Sequence, residues 1–205
     1  MTPTELIRKE RSELLGFLRT LSPAEWEAPS LCDGWQVRDV VAHIATDSIP
    51  AKKYLAASIR HPSPSRLNQH FVGLRRSLTP DHLIELLEST AENSWFTRIA
   101  PGVALADHTV HHQDIRRPLG RPRSIDPDTL RYVLSHPDPF ASSRRYTKGL
   151  RWQATDLDWS HGDGPVVQGP AESLMLAMVG RSVVLDDLTG DGTPTLRSRM
   201  TSQGR

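Results

Sequence analysis

The sequence predicts a mainly α-helical protein, with an antiparallel four-helix bundle over residues 1–145 followed by a small α+β module over residues 146–205. Three observations support this prediction. Several helix starts are marked by proline, long stretches with helical spacing of apolar residues are joined by short connections, and apolar and polar residues alternate beyond position 145.

The clearest local evidence for helices is the proline that marks the start of several of them. Thr2 precedes Pro3, and Glu5 completes a capping box, in which two side chains bond free backbone N–H groups at the helix end. The sequence SPAE at 22–25 repeats this pattern. Further helix starts are predicted at Pro80, Pro127 and Pro170.

The bundle helices are predicted from apolar residues that recur every three or four positions. The apolar stripe of the second helix consists of Val37, Val40, Val41, Ile44, Ala51 and Leu55. The four substantial helices are predicted at residues 3–20, 36–60, 80–94 and in a histidine-rich stretch between Gly102 and Pro118, with smaller helical segments at 24–26 and 64–77. Short connections between long helices favour an antiparallel bundle.

The C-terminal pattern differs from that of the bundle. A helix predicted at 127–135 ends before two prolines, and residues 149–155 then alternate as in a half-buried strand. A second short strand is predicted at 166–167, and a very apolar helix at 171–179. We expect His161 to lie in a turn and the last residues to be frayed.

Composition narrows the classes of function. Net charge is +1, so charge gives no reason to expect nucleic acid or a membrane surface as a partner, and no apolar run approaches the roughly 20 residues of a membrane-spanning helix. No signal peptide is visible, and the single Cys32 permits no internal disulfide. We therefore expect a cytoplasmic protein, and the sequence leaves the oligomeric state, monomer or homodimer, open.

The histidine-rich stretch offers candidate metal ligands. Residues four apart share one face of a helix, so Asp107 pairs with His111, and His108 pairs with His112 on another face. Either pair would present two ligands from one rigid element. Spacing does not choose between the pairs, and solvent-facing histidines on a polar helix are the alternative interpretation.

A third ligand is expected from a facing helix, since bundles build metal sites in this way. His43 lies at the edge of the apolar stripe of the second helix, beside Val40. Two imidazoles and a carboxylate would leave a position open for water or substrate, as in catalytic zinc sites. The same ligands also accept iron, nickel or manganese.

Two segments resemble the signatures of a known family. Residues 29–43 read PSLCDGWQVRDVVAH, and residues 110–120 read VHHQDIRRPLG. Both are similar to segments of the mycothiol-dependent maleylpyruvate isomerase family, a branch of the DinB-like superfamily of metal-binding helical bundles. The sequences ATDLDW at 154–159 and GPAE at 169–172 resemble the C-terminal module of that family.

The resemblance implies a DinB-like bundle with a divalent metal, zinc being expected first, held by His43, Asp107 and His111. The family typically has glutamate where this chain has Asp107. Because aspartate is one methylene shorter, we expect it to reach the metal through a shift of the helix or through a water. The resemblance leaves the His108 and His112 pair without a role at the metal.

The resemblance also implies an enzyme that uses a low-molecular-weight thiol, similar to mycothiol, for isomerisation or S-transfer on a small electrophilic substrate. The alternatives are a non-catalytic bundle that binds a metal, a small molecule or a protein, and a metal-dependent hydrolase. We expect Asp114 to accept a hydrogen bond from a ligand imidazole or to play a surface or capping role. Cys32 is expected to be a buried small hydrophobe, and the arginines at 116–123 a solvated helix end.

Overall fold

The computed structural model describes residues 1–90 and 94–201, which are mainly helical with a small three-stranded sheet. The predicted fold class is therefore confirmed. The chain folds into two compact units, Met1–Arg123 and Ser124–Arg205. Within the described ranges, no helix combines the length and the apolar character needed to cross a membrane.

The first unit contains eight α-helices in its described part. Their bounds are α1 Pro3–Leu18, α2 Pro23–Trp26, α3 Val37–Ile44, α4 Ala51–Arg60, α5 Pro64–Gly73, α6 Pro80–Thr90, α7 Trp95–Ile99 and α8 Pro101–Arg116. Both predicted capping boxes are present: Thr2 and Ser22 accept from the backbone N–H of Glu5 and Glu25, whose carboxylates accept in return.

Helices α1, α3, α6 and α8 form the bundle of this unit. Helix α1 packs on α6 and α8, and α3 packs on the same two helices. The interior is filled by side chains such as Leu14, Val40, Val41, Leu83 and Ile115, all of which are essentially excluded from solvent. Helices α3 and α8 are in direct contact, and the C-terminal end of α3 lies against the middle of α8.

The helix predicted over residues 36–60 is wrong as a single element. Helix α3 ends at Ile44, a 3₁₀ turn covers Ala45–Ser48, and α4 begins only after Pro50. Proline has no N–H for the helical ladder and its ring clashes with the preceding turn, so the helix stops here. Leu55, assigned to the apolar stripe, is 63% exposed instead.

Helix α6 of the bundle is described as far as Thr90, whereas the sequence favours continuation to about Ser94. Residues 91–93 lie outside the described residues. Helix α5 ends at Gly73, four residues before the predicted end near Ser77.

The second unit combines a sheet with helices. Its elements are α9 Pro127–Ser135, α10 Ser143–Thr147, β1 Arg151–Ala154, β2 Ser160–His161, β3 Val166–Gly169, α11 Ala171–Met178 and α12 Thr193–Thr201. The strand order is β2-β1-β3; β1 pairs antiparallel with β2 and parallel with β3, where Trp152 lies opposite Val167. Both of these side chains are fully buried.

His161 differs from expectation, because it lies in β2 rather than in a turn. Helix α12 is described as far as Thr201, and the last residues, 202–205, whose fraying is predicted, lie outside the described residues. Helix α9 packs against α11 and so belongs to the second unit, which begins at Ser124. The boundary at residue 145 stays a prediction from the change in sequence pattern.

Candidate metal centre

Helices α3 and α8 carry the three side chains assigned to the site. Pro101 opens α8, and the i, i+4 spacing places Asp107 and His111 on one face of this helix. His43 lies in the last turn of α3, next to the fully buried Val40 and Val41. The buried stripe of α3 therefore fixes His43 at the edge of the bundle core, facing α8.

The structure brings these three side chains together. Oδ1 of Asp107 lies 3.4 Å from Nε2 of His43 and 3.4 Å from Nε2 of His111. One ligand atom from each residue lies within 4.8 Å of the other two. The side chains are 12%, 24% and 13% exposed in chain order for His43, Asp107 and His111. The cluster is therefore shielded but accessible to a small molecule.

The carboxylate of Asp107 lies between the two imidazoles. Asp107 Oδ1 is equidistant from both imidazole nitrogens. Ligands of a tetrahedral zinc ion with bonds of about 2.0–2.1 Å lie about 3.3 Å apart, close to the separations found here. A charge-assisted N–H···O⁻ hydrogen bond would be shorter, at about 2.7–2.9 Å. The donor set and its spacing fit a divalent ion.

Asp114 fixes the proton position on His111. Its carboxylate is fully buried, and Oδ2 accepts a hydrogen bond of 2.8 Å from Nδ1 of His111. With the proton on Nδ1, neutral His111 directs the lone pair of Nε2 toward the Asp107 carboxylate. Two acceptors then face each other, and a cation between them, either a proton or a metal ion, removes their repulsion.

The pKa shifts of Asp107 and His111 in the metal-free cluster agree with this arrangement. Burial acts to raise the pKa of Asp107, but the charges of His111 and His43 outweigh it and hold that pKa well below its usual range. Burial likewise acts to lower the pKa of His111, and the carboxylate of Asp107 reverses this and raises it well above its usual value. A proton thus occupies the cluster when no metal does.

Cys32 lies beside the site, which sequence reasoning did not predict. Its thiol donates to Oδ2 of Asp114 at 3.2 Å, and Sγ lies 3.6 Å from Nδ1 of His111. The loop is held there by the backbone N–H of Leu31, which donates to the carbonyl of Asp114 at 3.0 Å. Cys32, His111 and Asp114 thus form a second cluster of metal-ligating groups that shares His111 with the first. The only sequence signal was the position of Cys32 within the family signature.

The environment of His43 differs from that of His111. The ring of Trp35 lies 5.4 Å from the His43 ring, centroid to centroid, and the His111 ring lies 4.8 Å away, edge-on. Nδ1 of His43 is buried and has no hydrogen-bond partner among the described residues. On its Nδ1 side this imidazole is therefore held by packing, whereas Asp114 holds the Nδ1 side of His111.

The rival His108 and His112 pair points into the core of the bundle. Nε2 of His108 accepts from the guanidinium of Arg11, and its Nδ1 donates to the carbonyl of Ala104. His112 donates to Glu10 at 2.7 Å. Burial lowers the pKa of His108 to about 3 and that of His112 to about 4, so both are neutral near pH 7. These histidines are buried structural groups rather than the solvent-facing residues of the alternative interpretation.

Of the four arginines at the end of α8 and directly after it, Arg116 and Arg123 are held by other side chains, whereas the side chain of Arg121 is 43% exposed. Arg123, with its side chain 8% exposed, donates to both carboxylate oxygens of the buried Glu10. Arg116 donates to His112 at 2.8 Å, and its guanidinium lies 3.8 Å from the centre of the Phe17 ring. These contacts lock α8 against α1.

Comparison with known proteins agrees with the resemblance seen in the sequence. Residues 7–94 match the family model described as the mycothiol maleylpyruvate isomerase N-terminal domain. No curated protein matches the chain. One similar solved structure is a histidine-to-alanine mutant of a mycothiol-dependent maleylpyruvate isomerase, at 18% identity and a TM-score of 0.66. Another, also a mycothiol-dependent maleylpyruvate isomerase, has 16% identity and a TM-score of 0.58. Each comparison covers 93% of this chain and 92% of the other.

The predicted family resemblance is thus confirmed for the matched segment, and the fold is shared with both solved structures. The matched segment contains His43 and the whole of the first signature, whereas Asp107 and His111 follow it in the chain. The family and the two structures are named for an isomerase, which is an enzyme.

Proposed function

We propose, from the premise that residues 7–94 form a mycothiol maleylpyruvate isomerase N-terminal domain, that this chain is an enzyme dependent on a divalent metal and a low-molecular-weight thiol. Its substrate would be a small electrophile, and its reaction an isomerisation or an S-transfer. We further propose that His43, Asp107 and His111 are the metal ligands, with zinc the first choice.

One observation carries this proposal. Nε2 of His43 and Nε2 of His111 each lie 3.4 Å from the same carboxylate oxygen of Asp107. Because Asp114 holds the proton of His111 on Nδ1, its Nε2 meets that oxygen as a lone pair. Such an arrangement of acceptors is suited to a cation and is unfavourable without one.

The residues around the site have distinct roles in this proposal. Three protein ligands leave a coordination position free, which is the arrangement of catalytic rather than structural zinc sites. A bound divalent cation would supply thiol activation, because it stabilises the thiolate near neutral pH. Asp114 orients His111 and increases its basicity. Trp35 forms an apolar wall beside His43.

Thiolate chemistry accounts for both reaction outcomes. A thiolate that adds to an activated double bond permits rotation about the resulting single bond, and its elimination then releases the isomer. The same nucleophile displaces a leaving group in an S-transfer. The chain must therefore admit thiol and electrophile together, which the partly exposed ligand side chains allow.

The test is turnover of maleylpyruvate by zinc-loaded protein with and without mycothiol. We expect thiol-dependent isomerisation by the wild type and by His161→Ala, a control that removes an exposed histidine of β2. We expect at least a hundredfold loss in His43→Ala. Zinc binding without turnover of maleylpyruvate or of other small electrophiles would favour the non-catalytic bundle, and thiol-independent hydrolysis would favour the hydrolase.

A further inference from the structure

A strongly basic segment separates the two halves of the bundle. From residue 48 to residue 80 the sequence contains no aspartate or glutamate, while it contains six lysines and arginines. The segment therefore carries a formal charge of +6 in a chain whose net charge is +1, which leaves −5 for the rest. The whole chain has 24 acidic residues among 205, yet these 33 consecutive residues contain none.

Part of this charge lines a cavity. The turn before α4, helix α4 and the C-terminal part of α5 enclose a cleft of about 510 Å³. None of the described residues that line it is acidic. The basic and titratable side chains that face it are Lys53, Arg60, His61, His70 and Arg75. The imidazoles of His61 and His70 stack on each other with their ring centres 4.5 Å apart.

Arg75 is the most informative of these residues. It is only 8% exposed, yet its hydrogen bonds to the described residues all go to neutral acceptors: the carbonyls of Phe71 and Ala45 and the hydroxyl of Ser48. No carboxylate among the described residues lies within ion-pair distance of it. Burial lowers the pKa of its guanidinium. Arg11, another buried arginine of the first unit, forms an ion pair with Asp47.

We propose that the cleft between α4 and α5 binds a small organic anion, whose carboxylate or phosphate group lies against Arg75. An arginine guanidinium donates strong, charge-assisted hydrogen bonds to both groups. The three hydrogen bonds above use three of its five N–H groups, which leaves two for an anion. A buried charge without a counter-charge is costly, and a bound anion would remove that cost.

The shape of the cleft limits the ligand to a small molecule with an apolar body. Its volume lies in the range of about 300–1,000 Å³ typical of small-molecule sites. The ring of Phe71 and the side chains of Ile49 and Ala57 form the apolar part of the cleft wall. Lys53 and Arg60 extend outward from it and are exposed, so they are placed to attract an anion from solution. This site is separate from the three proposed metal ligands, none of which lines the cleft.

Benzoate and phenyl phosphate are suitable probes, with benzamide as the neutral analogue of benzoate. Calorimetric titration of the full chain should give saturable binding of both anions. The double substitution Lys53→Gln with Arg60→Gln should weaken that binding at least tenfold. The matched control, Lys52→Gln with Arg66→Gln, removes the same charge from the same segment at exposed positions that do not line the cleft. It should change the affinity less than twofold.

Several results would overturn the proposal. They are equal losses in the two double variants, binding of benzamide as tight as that of benzoate, and no saturable binding of either anion at millimolar concentration. Loss of binding in His43→Ala would also overturn it, because the anion would then occupy the α3–α8 cluster. Arg75→Met is informative if circular dichroism shows that it folds, and it should then abolish binding of both probes.

Discussion

Removal of the negative charge of Asp114 should weaken metal binding without removing a ligand. Asp114 is fully buried and accepts the Nδ1 proton of His111 at 2.8 Å. Asp114→Asn keeps the size of the side chain and an acceptor oxygen, and its backbone carbonyl can still accept from Leu31. The substitution therefore isolates the effect of charge on the ligand imidazole.

The expected magnitude follows from the geometry. A charge-assisted hydrogen bond is about twice as strong as a neutral one, and loss of such a partner of a ligating histidine typically costs about 10–100-fold in metal affinity. This corresponds to about 1.4–2.8 kcal/mol of binding free energy. Cys32 also donates to this carboxylate, so part of the local network survives. We expect a loss near the middle of that range.

Competitive titration of metal-free protein with zinc and a chromophoric chelator measures this loss. Asp33→Asn is the matched control, because it removes one carboxylate from an exposed position in the same loop as Cys32. Zinc affinity in Asp114→Asn within twofold of the wild type would refute the reasoning. An equal decrease in both variants would refute it too, since the effect would then be general electrostatics.

Three further predictions concern the bundle and the ligands. Glu10→Ala leaves Arg123 and His112 buried without their carboxylate, so urea denaturation should show about 3–5 kcal/mol lower stability; a loss below 1 kcal/mol would contradict this. The pKa of His108 falls from the usual 6.5 to about 3 on folding. As the pH decreases, the imidazole of His108 is therefore protonated in the unfolded chain before it is protonated in the folded chain. Stability should then fall below pH 6.5 by up to about 1.4 kcal/mol per pH unit, and less steeply in His108→Gln; equal slopes in urea titrations would count against it. Asp107→Glu should retain or tighten zinc binding in the same chelator assay, and a clear loss of affinity would show that the family correspondence misplaces the carboxylate.

Much of the fold could be predicted because its signals are local. The capping boxes at Thr2 and Ser22 and the proline before α9 act within a few residues, and the structure has these helices where the sequence predicts them. The break before α4 was equally local, since Pro50 marks it. The periodic apolar residues on both sides of Pro50 favoured one continuous helix, and the missing N–H prevailed.

The candidate site was predictable in part for a different reason. Helical spacing alone left two pairs of residues on α8, and only the resemblance selected Asp107 and His111. The buried His108 accepts a hydrogen bond from Arg11, which lies 97 positions earlier in the chain. No local sequence pattern predicts such an interaction. The thiol of Cys32 likewise meets Asp114 across 82 positions. Long-range interactions of this kind are set by packing, which the spacing of one helix does not reveal.

Metal content of purified protein tests the central claim most directly. After equilibration with zinc and removal of the excess, elemental analysis should find about one zinc per chain in the wild type and in the His161→Ala control. His43→Ala and His111→Ala should each lose most of this zinc while they remain folded by circular dichroism. Equal zinc content in all four proteins would contradict the assignment of His43, Asp107 and His111 as the metal ligands.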